Sequence, residues 1–478
     1  MPKNFQSSSN VACAVLILAA GQGKRMRSSL PKVLHEVAGQ SMISHLLDRV
    51  REALPGAPIG LVVGHGRDQV EAAIHAYPGV NELNLTFIDQ PEQRGTGHAA
   101  RCAMDSAWGA EVVRKKIPVL VLPGDLPLVS AELIREVSET LGRSAWMRLL
   151  SCELPDPTGY GRVIRKGKTG PVLRIVEEKD ASDRERLVRE VGTSIYCFNS
   201  AFLKSGLSRL STKNAQGEYY LTDLVAQASR AKKGVEVLVW PHAEELRGVN
   251  DLWELSEAGR LLNERCLRRW AKNGVKFVAP QSTWVESTVV FEGTAEVEPN
   301  VLLKGTTRIG DGARLGPHLV LKNVQVGPQA VVKAGTVAED AIIGAQAQVG
   351  PYAHLRPGTR VGEACKVGNF VELKQTSLGK KTSVAHLSYL GDAEVGARVN
   401  IGCGFVTCNY DGKSKSKTVI EDDVFMGSDC QAVAPVKIGK GAYVASGSTI
   451  TADVEAGALA VARSRQVVKP GYASKYRK

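Results

Sequence analysis

The chain has 478 residues, 43% of them hydrophobic and 23% charged, with a net charge of +12. At about 150 residues per domain this is a multidomain globular protein, and disorder, collagen and simple coiled coil are excluded. No run approaches the ~18 apolar residues of a membrane span. The positive excess is spread over both halves and suits anionic small molecules as well as RNA; only residues 463–478, with six Lys/Arg and no acid, are concentrated, and they read as a solvated tail.

The apolar run at 11–20 follows a leader with only Lys3 and leads straight into glycines instead of a cleavage site, so it reads as a first buried strand. Nine cysteines, odd in number and without paired CxxC spacing, predict free thiols in a reducing cytoplasm. Residues 59–63, 85–89 and 119–122 are further short aliphatic runs, separated by amphipathic segments such as 42–54. That alternation predicts an α/β domain over residues 1–250 with a largely parallel sheet, whose ligands bind beyond the carboxyl ends of the strands. The glycine loop after Ala20 and the segment after Leu122 both leave strands at that edge. Over 251–273, Leu252, Leu255, Leu262, Cys266 and Trp270 recur at helical steps, with Arg260, Arg265, Arg268 and Arg269 between them, and predict one connecting helix.

Beyond it the period changes to six. Ile343, Val349, Leu355, Val361, Val367 and Leu373 stand six apart, with Gly344, Gly350, Gly362 and Gly368 each one residue later. Ile420, Met426, Ala432, Ile438, Val444, Ile450 and Ala456 keep the step, and Ile309, Leu315 and Leu321 begin it. Period six marks a hexapeptide β-helix, in which each repeat is a short strand pointing one aliphatic residue into a prism before a small corner residue. Three repeats per coil stack about ten coils.

The string LAAGQGKRM, residues 18–26, continues to Pro31 and Lys32. Gly21 and Gly23 let the backbone approach a ligand, and Arg25 and Lys32 supply cationic donors for phosphate oxygens. It is not a Walker A loop, since Gly-Lys-Ser/Thr is missing. Behind it come QPEQRGTGHAA at 90–100, GDLPL at 124–128, GYGR at 159–162, VEEKD at 176–180 and GEYYLTD at 217–223. The glycine loop resembles the signature of sugar-phosphate nucleotidyltransferases. Together with the hexapeptide half, the chain resembles, over nearly its whole length, the bacterial bifunctional N-acetylglucosamine-1-phosphate uridylyltransferase and glucosamine-1-phosphate N-acetyltransferase family.

The resemblance implies an α/β, Rossmann-like nucleotidyltransferase domain at 1–250, a connecting helix at 251–273 and a left-handed parallel β-helix with a basic tail at 274–478. It implies acetyl transfer from acetyl-CoA to glucosamine 1-phosphate, then uridylyl transfer from UTP to N-acetylglucosamine 1-phosphate with release of pyrophosphate. The implied protein is a cytoplasmic homotrimer that uses Mg²⁺, takes UTP and acetyl-CoA as co-substrates and binds no nucleic acid. Its alternative is a sugar-nucleotide pyrophosphorylase whose hexapeptide domain serves only oligomerisation.

By the same resemblance, Arg25 and Lys32 act on phosphate and Asp125 and Asn250 hold the metal. Asn250 reads equally as a cap of the helix beginning near Leu252. Leu18, Ala19, Gly21, Gln90, Gly95, Thr96, Gly161, Glu177 and Gly192 match further nucleotide and sugar positions. Gln90 offers an amide able to pair with uracil, and Gly95 a backbone donor beside it. In the second half His386, within VAHLSYLGDA, matches the general base that an amine nucleophile requires, and Glu372 is expected to orient its ring. Arg356, Lys374 and Lys417 match sugar-phosphate contacts, Tyr389 and Asn400 other substrate contacts, and Cys403, Asn409, Tyr410, Ser428 and Arg463 coenzyme A contacts. Gly192, Thr193 and Ser194 stand where the family has Asn-Thr/Ser-Gly, so an amide that normally meets the sugar is absent.

Overall fold

The computed structural model describes residues 13–142, 144–167, 169–231 and 234–477. Lys3, Val11 and Ala12 lie outside them. The chain forms two compact units, Met1–Leu261 and Leu262–Lys478.

The first unit is built on strands β1 (Ala14–Leu18), β2 (Pro58–Val63), β3 (Asn84–Asp89), β4 (Val119–Pro123), β5 (Ala145–Glu153), β6 (Arg162–Arg165), β7 (Val172–Val176), β8 (Glu190–Phe198) and β9 (Gly234–Val239). Their order across the main sheet is β9-β5-β8-β4-β1-β2-β3, with β6 on β8 and β7 on β6. β1 pairs in parallel with β2 and β4. β8 runs antiparallel to β4 and β5, so the largely parallel sheet holds for the glycine-loop half. The core strands read as continuous aliphatic runs because both faces are covered: Val15 and Ile17 enter one apolar cluster, Ala14 and Leu16 the other. Helix α1 (Met42–Ala53) starts at Ser41, whose hydroxyl accepts the Ser44 N–H. Helix α2 (Thr96–Asp105) starts at Gly95.

Helix α3 (Leu252–Lys272) contains the division between the units. In the second unit its Cys266 and Leu267 enter the prism core, and Trp270 packs on Phe291 with ring centroids 5.3 Å apart. Asn263 is buried there, donating to Thr283 O and accepting from Val285 N–H, both at 2.9 Å. Leu252, expected on the buried face, is exposed instead; the apolar stripe starts about two turns later.

Among the described residues the second unit is a three-sided prism of parallel strands, in sheets of 11, 10 and 9, each strand pairing with the third one after it except at the last rung of the 11-stranded sheet. This is the pattern of a left-handed hexapeptide β-helix. Val349 pairs with Val367 and Val367 with Val384, so a coil takes 18 or 17 residues. One coil is longer: Ile401 pairs with Met426, because the loop carrying Asn409 and Tyr410 is inserted. The six-step residues from Ile343 to Leu373 all point inward, none more than 2% exposed. Corners are tight, and a Cβ on Gly344 would stand 2.7 Å from the carbonyl carbon of Gly362 in the next coil. The period fails at its end. Ala456 is exposed, and the inward partners of Ile438 and Val444 are Val454 and Ala460, since the last coil shortens to 16 residues on both ladders.

Candidate active sites

In the first unit the glycine loop is pinned at its root. Gly124 N–H donates to Leu18 O, and Ala19 N–H to Val62 O, each at 2.9 Å. Gly23 has φ +60, and a Cβ there would sit 2.7 Å from Lys32 Cβ, so glycine is demanded by both backbone and space. Gly21 faces open space, and Arg25 is exposed. Lys32 instead turns inward. Its ammonium pairs with the Asp125 carboxylate and donates to Asn250 Oδ1 at 2.9 Å.

Asn250 is not the helix cap. Asp251 Oδ1 accepts the Glu254 N–H at 2.9 Å, the bond of an N-cap, and Glu254 Oε2 reaches back to the Asn250 N–H at 2.6 Å. The Asn250 side chain is thereby free to reach Lys32, and Val249 N–H on Asp125 O at 3.0 Å holds the two segments together. One carboxylate and one amide oxygen already gathered around a cation make a donor set of hard oxygens that fits Mg²⁺, which takes one or two protein ligands besides phosphate and water. Among the described residues no group of three or more His, Cys, Asp or Glu assembles to hold a metal by itself.

Gln90 is 5% exposed, and its amide nitrogen reaches His98 Nδ1 at 3.2 Å and Gly95 O at 3.4 Å. Gly95 has φ +97, and a Cβ there would stand 2.7 Å from Tyr219 O. Thr96 Oγ1 accepts the Leu221 N–H at 3.2 Å, and Gly97 N–H donates to Tyr219 O at 2.8 Å. The GTG and YLTD strings are therefore clamped to each other.

Two adjacent glutamates divide the work at the end of β7. Glu178 takes the buried Arg162 of GYGR at 2.7 Å and the Gly159 N–H at 3.1 Å. Glu177 accepts from Thr222 Oγ1 at 2.9 Å beside Gly161. Burial pushes its carboxyl above the ordinary range; the Thr222 hydrogen bond opposes this, while Asp180, Asp223 and Glu218 add to it. Gly192 N–H donates to Gly161 O at 2.9 Å. The Ile175 side chain fills the space a Cβ on Gly192 would need, with Cδ1 at 2.9 Å. Ser194 has φ +60, a left-handed residue within the register shift between Gly192 and Tyr196.

In the prism, His386 is exposed at the end of strand Ser383–His386. Glu372 does not orient it. Its Oε1 takes Arg356 Nη1 at 2.9 Å, because strand register places it on a flat face over Arg356's coil. The imidazole partner is Asn369, whose Oδ1 lies 2.9 Å from His386 Nδ1. Sequence reasoning missed Asn369, although it lies one coil, 17 residues, before His386.

Lys374 lies in the coil after Arg356 and beside Lys415. Lys415, then desolvation, with Arg356 adding, pulls the Lys374 ammonium below the usual lysine range against Asp392. This is a cluster of three cations. Lys417, expected in it, pairs instead with Glu394 at 2.5 Å. Tyr389 and Asn409 come together, since a Cβ on Gly391 would collide with the Tyr389 hydroxyl and the Asn409 amide; Asn409 also donates to Asp392. Tyr410 stays on its own loop, donating to Gly412 O at 2.7 Å. Asn400 is exposed between Ser383 and Phe425 in its ladder.

Along the prism edge that carries His386 lie three of the coenzyme A candidates, Cys403, Ser428 and Arg463. Register puts Cys403 one coil after His386. Cys403 O accepts the Asp429 N–H at 2.6 Å, and Ser428 O accepts the Gly447 N–H at 2.9 Å. The Arg463 stem lies 3.7 Å from a Cβ built on Gly447.

Residues 15–155 match the MobA-like NTP transferase domain, 340–375 the bacterial transferase hexapeptide (six repeats) and 417–452 the hexapeptide repeat of succinyl-transferase. The Streptomyces avermitilis protein named bifunctional protein GlmU is 44% identical to this chain over 465 residues, covering 97% of this chain and 94% of that protein. The chain belongs to the GlmU family. Its GlmU relative from Pelobacter propionicus is 43% identical, covering 97% of this chain and 99% of that protein, and one from Methylococcus capsulatus is 43% identical, covering 96% of each. As a member of the GlmU family it is a bifunctional transferase that joins a nucleotidyltransferase domain to a hexapeptide acetyltransferase domain. The reading of the hexapeptide half as a mere assembly element gives way to this. Among the described residues no helix is long and apolar enough to cross a membrane.

Proposed function

We propose that the first unit transfers uridylyl from UTP to N-acetylglucosamine 1-phosphate, releasing pyrophosphate, and that the prism first makes that substrate by acetylating glucosamine 1-phosphate. The observation that carries the first half is the convergence of Lys32, Asp125 and Asn250. The nucleophile is an ionised phosphate, so no side-chain base is demanded, and the work is alignment and charge neutralisation. Lys32 and Arg25 donate to phosphate oxygens at the carboxyl edge of β1. Mg²⁺ bound by Asp125 and Asn250 would supply further neutralisation of the phosphates. Gln90 and Gly95 meet the uracil edge, while Glu177, steadied by Thr222, accepts from the sugar between Gly161 and Gly192.

In the prism the Asn369 amide oxygen, which only accepts, fixes the proton on His386 Nδ1 and leaves the Nε2 lone pair to take a proton from the attacking amine. Arg356, Lys374 and Lys415 bind the sugar phosphate. The edge through Cys403, Ser428 and Arg463 carries acetyl-CoA, with Tyr389, Asn400, Asn409 and Tyr410 nearby. A prism exposes aliphatic and aromatic surface such as the stacked Phe425–Tyr443 pair, which supports a closed homotrimer, and the functional division runs at 250 and 274 within a cytoplasmic protein.

The deciding experiment supplies the full chain with glucosamine 1-phosphate, acetyl-CoA, UTP and Mg²⁺. Coenzyme A, pyrophosphate and UDP-N-acetylglucosamine should all accumulate, and the chain should sediment as a trimer. Failure to release coenzyme A overturns the acetyl half, and failure to release pyrophosphate from UTP and N-acetylglucosamine 1-phosphate overturns the other.

A further inference from the structure

We propose that His98 is a positioning residue that sets the orientation of the Gln90 amide and with it the preference for uracil over cytosine; this rests on the reading of the first unit as UTP-dependent. The two hydrogens of the Gln90 NH₂ group point to His98 Nδ1 at 3.2 Å and Gly95 O at 3.4 Å. An amide nitrogen only donates, so Nδ1 accepts and the ring proton sits on Nε2, facing Cys102 Sγ at 3.8 Å. The ring itself is held. His98 is 9% exposed and stacks on Tyr219 with centroids 6.3 Å apart, and the Arg94 and Arg101 guanidiniums lie 5.2 and 4.9 Å from the same Tyr219 ring.

Locked this way, a buried side chain keeps one open atom. Gln90 Oε1 has no hydrogen-bond partner among the described residues and is not among the buried unpaired atoms. The neighbouring Gly95 N–H makes no backbone hydrogen bond there either. The edge therefore offers an acceptor beside a donor. Uracil presents the complement, an N3–H beside a carbonyl, whereas cytosine presents N3 as an acceptor beside an amino donor and is mismatched at both places. The two amide orientations have nearly the same shape, so packing does not choose between them. A turned amide would set its oxygen against the lone pair of His98 Nδ1, or else require the ring proton to leave Nε2 and give up its place facing Cys102 Sγ. Without that lone pair only the longer contact to Gly95 O opposes the turned state, in which NH₂ faces the base and cytosine N3 is accepted.

The test compares UTP with CTP in pyrophosphate release by the full chain, using His98→Phe, which keeps the stacking on Tyr219 but has no acceptor. The KM for UTP should rise about fivefold, the effect of one neutral hydrogen bond, and the UTP-to-CTP ratio of kcat/KM should fall about tenfold, while kcat at saturating UTP stays within about twofold. An unchanged ratio in His98→Phe overturns the proposal alone. A wild-type chain that releases no pyrophosphate from UTP overturns the reading of the site and the proposal with it. If phenylalanine prevents folding, His98→Ala in the same assay decides between the same two outcomes.

Discussion

Lys32 and Asn250, 218 positions apart, are joined by a 2.9 Å hydrogen bond from ammonium to amide oxygen, with the Asp125 carboxylate on the same ammonium. The Lys32 cation thus stands between the two oxygens proposed for Mg²⁺. Asp125→Ala should lower pyrophosphate release at least about 100-fold by removing a hard ligand, while acetyl transfer, measured as coenzyme A release, stays intact. Loss of both activities in a folded chain would count against separate sites.

His386→Ala should cut acetyl transfer by roughly 100-fold or more, the usual scale for a general base. Asn369→Ala should cost about fivefold, the worth of one neutral hydrogen bond. Glu372→Gln should act on KM for glucosamine 1-phosphate through Arg356. Equal kcat losses for Glu372→Gln and Asn369→Ala would restore Glu372 as the orienting group.

Gly192→Asn is the change that would return the family's amide to the sugar pocket. With Ile175 Cδ1 standing 2.9 Å from the new Cβ, the single variant should lose about 1 kcal/mol by overpacking and show little gain in sugar KM. Adding Ile175→Val, which removes the crowding methyl, should lower the KM for N-acetylglucosamine 1-phosphate about fivefold below that of Ile175→Val alone. No difference between those two variants would mean that the pocket does not need the amide.

Burial raises the Glu177 carboxyl above its ordinary value. For an acid this means that the charged form is penalised only when folded, so the penalty is absent below the unfolded value of ~4.3 and sets in as pH rises through the raised value. Glu177→Gln should therefore gain in Tm relative to wild type between about pH 4 and pH 7. A constant Tm difference across that range would mean that Glu177 is not buried in solution.

Glu178→Gln would leave Arg162, with its side chain 2% exposed, without its counter-charge. The cost should be about 3 kcal/mol or more to the first unit, read by urea unfolding. A loss below about 1 kcal/mol would show that the Tyr160 carbonyl suffices to hold the guanidinium.

The prism, the α/β unit and most site strings were legible in the sequence, because burial of one side chain every six residues and a glycine at φ +60 are local demands that leave a local trace. The six-residue step fails at Ala456 because the last coil shortens, a fact about how the chain closes and not about its composition. Asn369 rather than Glu372 meets His386, and Lys415 rather than Lys417 meets Lys374, for a related reason. Which side chains meet across coils depends on whether each intervening coil takes 17, 18 or 25 residues, so a residue's neighbours follow from the sum of turns beneath it. In the sequence Asn250 fits both ligand and cap, and the structure gives the cap to Asp251; the absence of asparagine at Gly192 is legible in the sequence, whereas the Ile175 side chain in its place is not. Periodic burial and backbone strain were determined by the sequence alone; the pairing of polar atoms across long separations was decided only by tertiary structure, because hydrogen-bond geometry is set by register and packing to a few tenths of an ångström.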